Sequence, residues 1–269
     1  MTRSTSILDE IVAAKERELE AVRQQFPLEL LLDGIPEGTP PAFDTALRGD
    51  GLNIIAEVKY QSPSRGPFPC QLEPVEVARQ YRDSGAVALS VLTEKTYFAG
   101  DPAYLKDIRS EFSALPLLRK DFLFEPYQVI ESRAWGASAI LAIVACLEPS
   151  QLSSLLSSAG EFQLEVLVEV HDPWELETAI DEGASIIGVN NRNLNDFRID
   201  LTTSFDIARR LEGEDGYLLI SESGLSERAQ LLELRQAGFS GFLIGSHFMN
   251  NQKPGEVLRE LLGGETGGN

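Results

Sequence analysis

The strongest constraint on this chain is an alternation of patterns that recurs eight times. From Asn53 onward, short β-branched runs give way to helical segments and return. The runs fall at 54–59, 87–92, 117–120, 139–144, 164–170, 186–190, 217–221 and 242–245. Helical segments follow near 74–83, 102–112, 126–135, 149–159, 173–182, 201–212, 226–237 and 255–262. Strands joined through single helices pair in parallel, and eight such units over roughly 210 residues predict an α/β fold, a closed (β/α)8 TIM barrel. An open doubly wound sheet would carry fewer units and a glycine-rich first turn. Ahead of the repeat, residues 5–24 predict an amphipathic helix: Ile7, Ile11, Val12 and Ala14 recur at helical spacing, and Pro27 lies just beyond. Residues 33–41, rich in Gly and Pro, predict a loop. The expected organisation is an N-terminal helical extension over 1–50, one barrel over 51–262 and a flexible tail over 263–269.

Composition narrows what such a barrel does. Hydrophobic residues make up 43% and charged residues 24%, the balance of an ordinary soluble protein. No apolar stretch approaches the length of a membrane span. The first residues turn acidic at once, unlike a secretory leader. Two cysteines, Cys70 and Cys146, occur without a CxxC and fit a reducing cytosol. The formal net charge of −19 repels phosphate backbones and anionic lipids, so neither nucleic acid nor a membrane is the expected partner. It also repels small anions, so an anionic substrate would require a locally positive pocket.

That pocket has visible candidates. Barrel strands are apolar on both faces, one toward the helices and one filling the interior. In IIAEVKYQSPS, Ile54, Ala56 and Val58 share one face, while Ile55, Glu57 and Lys59 share the other. In LEVLVEV, Glu165, Leu167 and Glu169 alternate with Val166, Val168 and Val170. LLRKDF ends on Lys120, IIGVNNR on Asn190 with Arg192 just after, and YLLISES near Glu222. A single such charge reads as a rim salt bridge. Five strands with charged or polar C-terminal ends read as an active site, because barrel enzymes place their chemistry at that end.

Two turns suit an anion. SESGLSERAQLL puts Ser223 and Gly224 ahead of a helix expected to be capped by Ser226, and LIGSHFMN puts Gly245 and Ser246 at the last strand end. Barrels often hold phosphate at these two loops, where glycine lets the backbone approach closely. SPSRG adds Ser62 and Ser64 at the same rim. His171 and His247 lack a second His or Cys at metal-ligand spacing, so they read as rim or packing residues and no metal is expected. Cys146 reads as the core end of a strand, and Trp135 and Trp174 as packing residues on helices.

The strings IAEVKYQSPSRG, ALSVLTEKTYFAGD, LLRKDF, LVEVHDPWELETAIDEGASIIGVNNRNL, ISESGLS and FLIGSHFM, in this order, resemble the indole-3-glycerol-phosphate synthases. The resemblance runs to about Leu262, and ILDEIVAAKERELEAV looks like that family's extra helix before the barrel. It implies decarboxylating ring closure of 1-(2-carboxyphenylamino)-1-deoxyribulose 5-phosphate in tryptophan biosynthesis. It implies catalytic roles for Lys120, Glu169, Lys59 and Glu57, and substrate contacts from Asn190, Arg192, Glu222 and Ser223. Phosphate contacts fall on Ser62, Gly224, Gly245 and Ser246, and ring contacts on Phe98 and Phe122. No cofactor is implied, and the expected enzyme is a cytoplasmic monomer acting on a small anionic sugar phosphate. The chain departs from the family pattern at Tyr60-Gln61 and His247-Phe248. Other phosphate-binding barrels, such as phosphoribosylanthranilate isomerase or the tryptophan synthase α subunit, lack the KDF lysine combined with an AEVK strand. A barrel kept only for binding would not need both Lys120 and Glu169.

Overall fold

The computed structural model describes residues 7–194 and 196–264. Residues 5–6 of the expected first helix and 265–269 of the expected tail lie outside the described residues. The strands β1 (Ile54–Val58), β2 (Ala88–Leu92), β3 (Leu117–Lys120), β4 (Ala139–Ile143), β5 (Glu165–Val170), β6 (Ile186–Asn190), β7 (Leu218–Glu222) and β8 (Phe239–Ile244) form one closed parallel barrel. It closes where β1 meets β8, through Ile54↔Phe242, Ile55↔Leu243 and Ala56↔Ile244. A two-stranded hairpin, Gln61–Ser62 against Gly66–Pro67, stands on the rim after β1.

Among the described residues, three helices precede the barrel: α1 (Ile7–Gln25), α2 (Leu28–Asp33) and α3 (Phe43–Ala46). Between and after the strands come α4 (Pro74–Asp83), α5 (Pro102–Glu111), α6 (Pro126–Ala134), α7 (Pro149–Glu161), α8 (Pro173–Asp181), α9 (Thr202–Arg210), α10 (Arg228–Gln236), α11 (Ser246–Met249) and α12 (Pro254–Leu261). Helices α4 to α8 and α12 each open on proline. There its fixed φ suits the first turn and its missing N–H leaves no helical bond unmade.

The strand alternation sorts the apolar residues into two cores. Ile54, Ala56, Val58, Val166, Val168 and Val170 lie in the layer between strands and helices. Ile55, Leu118, Leu141, Leu167, Ile186, Ile220 and Leu243 fill the barrel interior. The interior is closed at its N-terminal mouth by Phe43 and Leu47, both fully buried. The Asp44 N–H donates to Glu165 Oε2 at 2.7 Å and ties this plug to β5. Both α2 and α3 are too short to repeat a helical pattern, so periodicity did not show them.

Several local expectations need correction. Val144 lies in a 3-10 turn, Val144–Cys146, where Cys146 is only half-buried, so Cys146 does not end a strand. Trp174 is 77% exposed. Asp172 accepts the N–H groups of Trp174 and Glu175, setting Trp174 in the exposed first turn of α8. Trp135 does lie against the core, under the Arg119 guanidinium at 4.2 Å from its ring centroid. Helix α10 starts after Glu227 rather than Ser226. Glu227 takes the capping position expected of Ser226, in a capping box in which the Gln230 side chain reaches back to accept the N–H groups of Ser226 and Glu227 at 3.0 Å each.

Candidate active site

The C-terminal mouth of the barrel holds a cavity of about 380 Å³. All of the residues marked out from sequence line it: Glu57, Lys59, Ser62, Phe98, Lys120, Phe122, Glu169, Asn190, Arg192, Glu222, Ser223, Gly224, Gly245 and Ser246. They arrive there because each occupies an inward position at a strand's C-terminal end or lies in the loop that follows it.

Lys120 is the electrostatic centre. Its ammonium lies 2.9 Å from Glu169 Oε2 and 3.3 Å from Glu222 Oε2. It therefore has partners that the sequence did not show. Burial opposes its charge, but Glu169, Glu222 and Glu57 outweigh this and hold it protonated well above the usual lysine range. Glu169 is pushed the opposite way: burial disfavours the carboxylate, yet Lys120 and His171 keep it ionised far below the ordinary range. Its Oε1 also accepts from Asn190 Nδ2 at 2.9 Å, so Asn190 orients Glu169 directly. The same Asn190 accepts the Arg192 N–H at 3.0 Å through Oδ1. Glu222 is raised to about 7 by burial, with Glu169 and Glu57 adding to the effect and Lys120 opposing it. Glu57 forms an ion pair with Lys59.

Close approaches shape the cavity floor. A Cβ on Gly245 would overlap the Glu57 carboxylate, and one on Gly188 would overlap Glu222 Oε1. Both glycines make room for an inward carboxylate. Ser223 and Gly224 take φ of 67° and 80°, two successive left-handed residues at the end of β7. For serine that conformation is strained, and such strain concentrates at functional sites.

The aromatic wall consists of Phe98 and Phe122, with ring centroids 6.1 Å apart. Glu94 places Phe98 by accepting the N–H groups of Thr96, Tyr97 and Phe98 at 2.7 to 3.0 Å. Asp121 Oδ1 accepts the Phe122 N–H at 2.9 Å.

Sequence reasoning missed the support behind this wall. Ile7, Leu8 and Ile11 of α1 line the cavity. One turn further on, buried Lys15 meets Asp121 Oδ2 at 3.0 Å. Arg119 joins Asp121 at 3.2 Å and Glu131 at 2.8 Å, while Thr93 donates to Asp121 at 2.6 Å. One signal existed: in LLRKDF, Arg119 and Asp121 alternate with Lys120 and must face the helices, where a charge requires a partner. The partner's location was not written there. His171, read as a rim residue, lies 3.2 Å from Glu169 Oε1.

The two departures from the family pattern have structural places. Tyr60 turns outward, donating to the Leu72 carbonyl at 2.7 Å and meeting Tyr104 edge-on. Gln61 donates to the Tyr97 carbonyl at 3.3 Å and links the rims beyond β1 and β2. His247 lines the cavity half-buried, and Phe248 is fully buried against Tyr81.

A single (β/α)8 barrel whose acids and cations converge at the C-terminal mouth has the layout of the barrel enzymes, which carry their chemistry at that end. Among these, the chain belongs to the indole-3-glycerol phosphate synthase family, whose model matches residues 8–261. The indole-3-glycerol phosphate synthase of Chlorobium luteolum is 46% identical over 250 residues, covering 91% of this chain and 94% of that one. That of Campylobacter curvus is 40% identical over 264 residues, covering 96% of this chain and 100% of its own. Among solved structures, 3-hexulose-6-phosphate synthase from Salmonella typhimurium matches with a TM-score of 0.63 at 12% identity. It covers 79% of this chain and 97% of that one, a likeness of fold alone.

Proposed function

We propose that the barrel mouth performs the family's reaction with Lys120 as the proton donor that drives ring closure. The reaction converts 1-(2-carboxyphenylamino)-1-deoxyribulose 5-phosphate to indole-3-glycerol phosphate, carbon dioxide and water. The observation that carries the assignment is the buried Lys120 ammonium held between Glu169 and Glu222. As the aryl carbon attacks the sugar ketone, negative charge grows on the ketone oxygen, and a positioned ammonium stabilises and protonates it. Carbon dioxide then leaves and restores ring electrons. Loss of the hydroxyl as water needs a second proton at that oxygen and a base for the neighbouring carbon. Glu169, held ionised, is that base. Lys59 and Arg192 supply positive charge for the substrate carboxylate or the departing hydroxyl, and Glu57 orients Lys59. Phe98 and Phe122 flank the aryl ring. Ser62, Ser223, Gly224, Gly245 and Ser246 receive the phosphate. The nucleophile is the aromatic ring itself, so the chemistry calls for no external electron sink.

Lys120→Met abolishes turnover with the fold retained, measured by indole fluorescence beside circular dichroism. Activity within about tenfold of the unsubstituted enzyme would overturn the assignment, since acid–base groups contribute roughly 10² to 10⁴. Activity survives exhaustive dialysis against a chelator; loss restored by a divalent ion would contradict a metal-free reaction. The enzyme works as a cytosolic monomer on a free small molecule, without nucleic acid. The −19 charge, which disfavours anionic partners, supports the absence of nucleic acid. No helix among the described residues is long and apolar enough to cross a membrane.

A further inference from the structure

His171 stands in the wall between two cavities. Its Nε2 lies 3.2 Å from Glu169 Oε1, and its Nδ1 lies 2.9 Å from Glu175 Oε2. The backbone N–H of His171 donates to that same Glu175 oxygen at 2.8 Å and fixes the carboxylate beside the ring. Glu169 turns its other oxygen to Lys120 at 2.9 Å. Lys120 and Glu169 line the cavity of the reacting groups, whereas His171 and Glu175 line a second cavity of about 790 Å³ outside it. The imidazole is 12% exposed and Glu175 is 21% exposed, so the chain of groups runs from near-dry interior to a wetted rim.

The reaction proposed above, on which this inference rests, needs such a connection. The ketone oxygen and the departing hydroxyl each take up one proton, and the neighbouring carbon returns one. With the substrate carboxylate leaving as carbon dioxide, the balance is one proton consumed per turnover. Substrate in the first cavity displaces its water, so the proton must reach Lys120 by another route.

We propose that His171 relays this proton from the second cavity, through Glu169, to Lys120. The His171 Nε2 proton passes to Glu169 Oε1, and Glu169 Oε2 returns one to the Lys120 amine left after proton donation. The imidazole is then neutral and keeps its proton on Nδ1. A half-turn about its Cβ–Cγ bond presents that N–H to Glu169 and the bare nitrogen to Glu175, where a solvent proton enters. No bonds other than N–H and O–H form or break.

The surroundings suit this role. Burial opposes a charged imidazole, but the Glu169 and Glu175 carboxylates on either side prevail and lift His171 to about 10, so it is charged at neutral pH. Asp172, next along the turn, is engaged in capping α8. Asp9 of α1 and Arg192 beyond β6 line the same second cavity. Burial pushes the Cys146 thiol up and keeps it neutral.

The test uses the full chain with His171→Gln, His171→Ala and Glu175→Gln. In His171→Gln and Glu175→Gln, kcat falls roughly tenfold while KM stays within about twofold, the split expected for a proton-transfer group remote from substrate. In His171→Ala, added imidazole restores kcat by diffusing in from the second cavity. If His171 only braces the turn, kcat in His171→Gln stays at the original value, or the His171→Ala loss is unmoved by imidazole while KM rises with it. Either outcome overturns the relay and leaves the functional reading standing. An unsubstituted enzyme that yields no indole product would overturn both.

Discussion

Arg119 and Lys120 are neighbours in sequence and point to opposite sides of the barrel wall. Lys120 enters the cavity, while Arg119 turns outward, bonding to the Gln128 carbonyl and Ser132 Oγ of α6 and to Glu131. The two charges do different work with the same physics. Lys120 sits among more carboxylate than it needs, which keeps its proton in place until substrate charge draws it off. Arg119 sits in a closed account of Asp121, Glu131 and Lys15, all buried, where each charge is stable only because the others are present. Removing one partner of a buried set leaves an uncompensated charge, at a cost of about 3–5 kcal/mol. Arg119→Met is therefore expected to lower unfolding free energy by about that much in urea titration. A loss under about 1 kcal/mol would show that Asp121 and Glu131 find other partners.

At the scale of elements, the segment ahead of the barrel does two separate jobs at opposite ends. Helix α3 closes the N-terminal mouth with Phe43, away from the chemistry. Phe43→Ala leaves a void in the barrel interior and is expected to cost about 3–5 kcal/mol with kcat within about twofold. Urea unfolding and steady-state turnover check the two halves, and an equal loss of activity would mean the plug reaches the catalytic end. Helix α1 covers the other mouth, with Ile7, Leu8 and Ile11 facing the cavity and Lys15 anchored on Asp121. Lys15→Met should loosen α1 ahead of the barrel. The expected result is early proteolytic cleavage within α1 and a raised KM, with the rest of the chain resistant. Simultaneous cleavage throughout would show that α1 and the barrel unfold as one unit.

For the whole molecule, charge sets two expectations. His171 is lifted to about 10, and Glu165 and Glu222 to about 7, each above its unfolded value. Groups of this kind bind protons more tightly when folded, so their contribution is complete below the unfolded pKa and fades as pH rises through the folded one. For His171 that window runs from 6.5 to about 10, and for the two carboxyls from 4.5 to about 7. Asp121 and Glu169 are shifted down, and their contribution fades only as acid drives pH below the normal carboxylate range. The thermal midpoint should therefore fall between pH 6 and pH 10, and Glu165→Gln should flatten the part below pH 7. A midpoint that rises over that range would contradict the balance. Salt gives the second expectation: screening acts over about 8 Å in physiological buffer, weakening the long-range repulsion of a −19 surface more than contacts inside the pocket. Moderate sodium chloride should leave KM unchanged or lower, and inorganic phosphate should compete with substrate. A steep rise of KM with salt, or no competition, would place the phosphate in other loops.

What the sequence determined by itself follows from periodicity. A period of two assigns Glu57, Lys59 and Glu169 to the barrel interior, a strand's C-terminal end assigns them to the mouth, and eight repeats assign the barrel. These are properties of each segment alone, so they are legible before folding. Tertiary structure decided the partners. Nothing in VAAKERE distinguishes Lys15 from its exposed neighbours, and nothing in LVEVHD says that the His171 ring turns back to Glu169 rather than out to solvent. Lys15 is buried because the closed barrel brings Asp121 beneath α1, and His171 is held because α8 returns Glu175 to its side. Faces are set locally by backbone geometry; a partner across two elements exists only once the barrel has closed and fixed their distance.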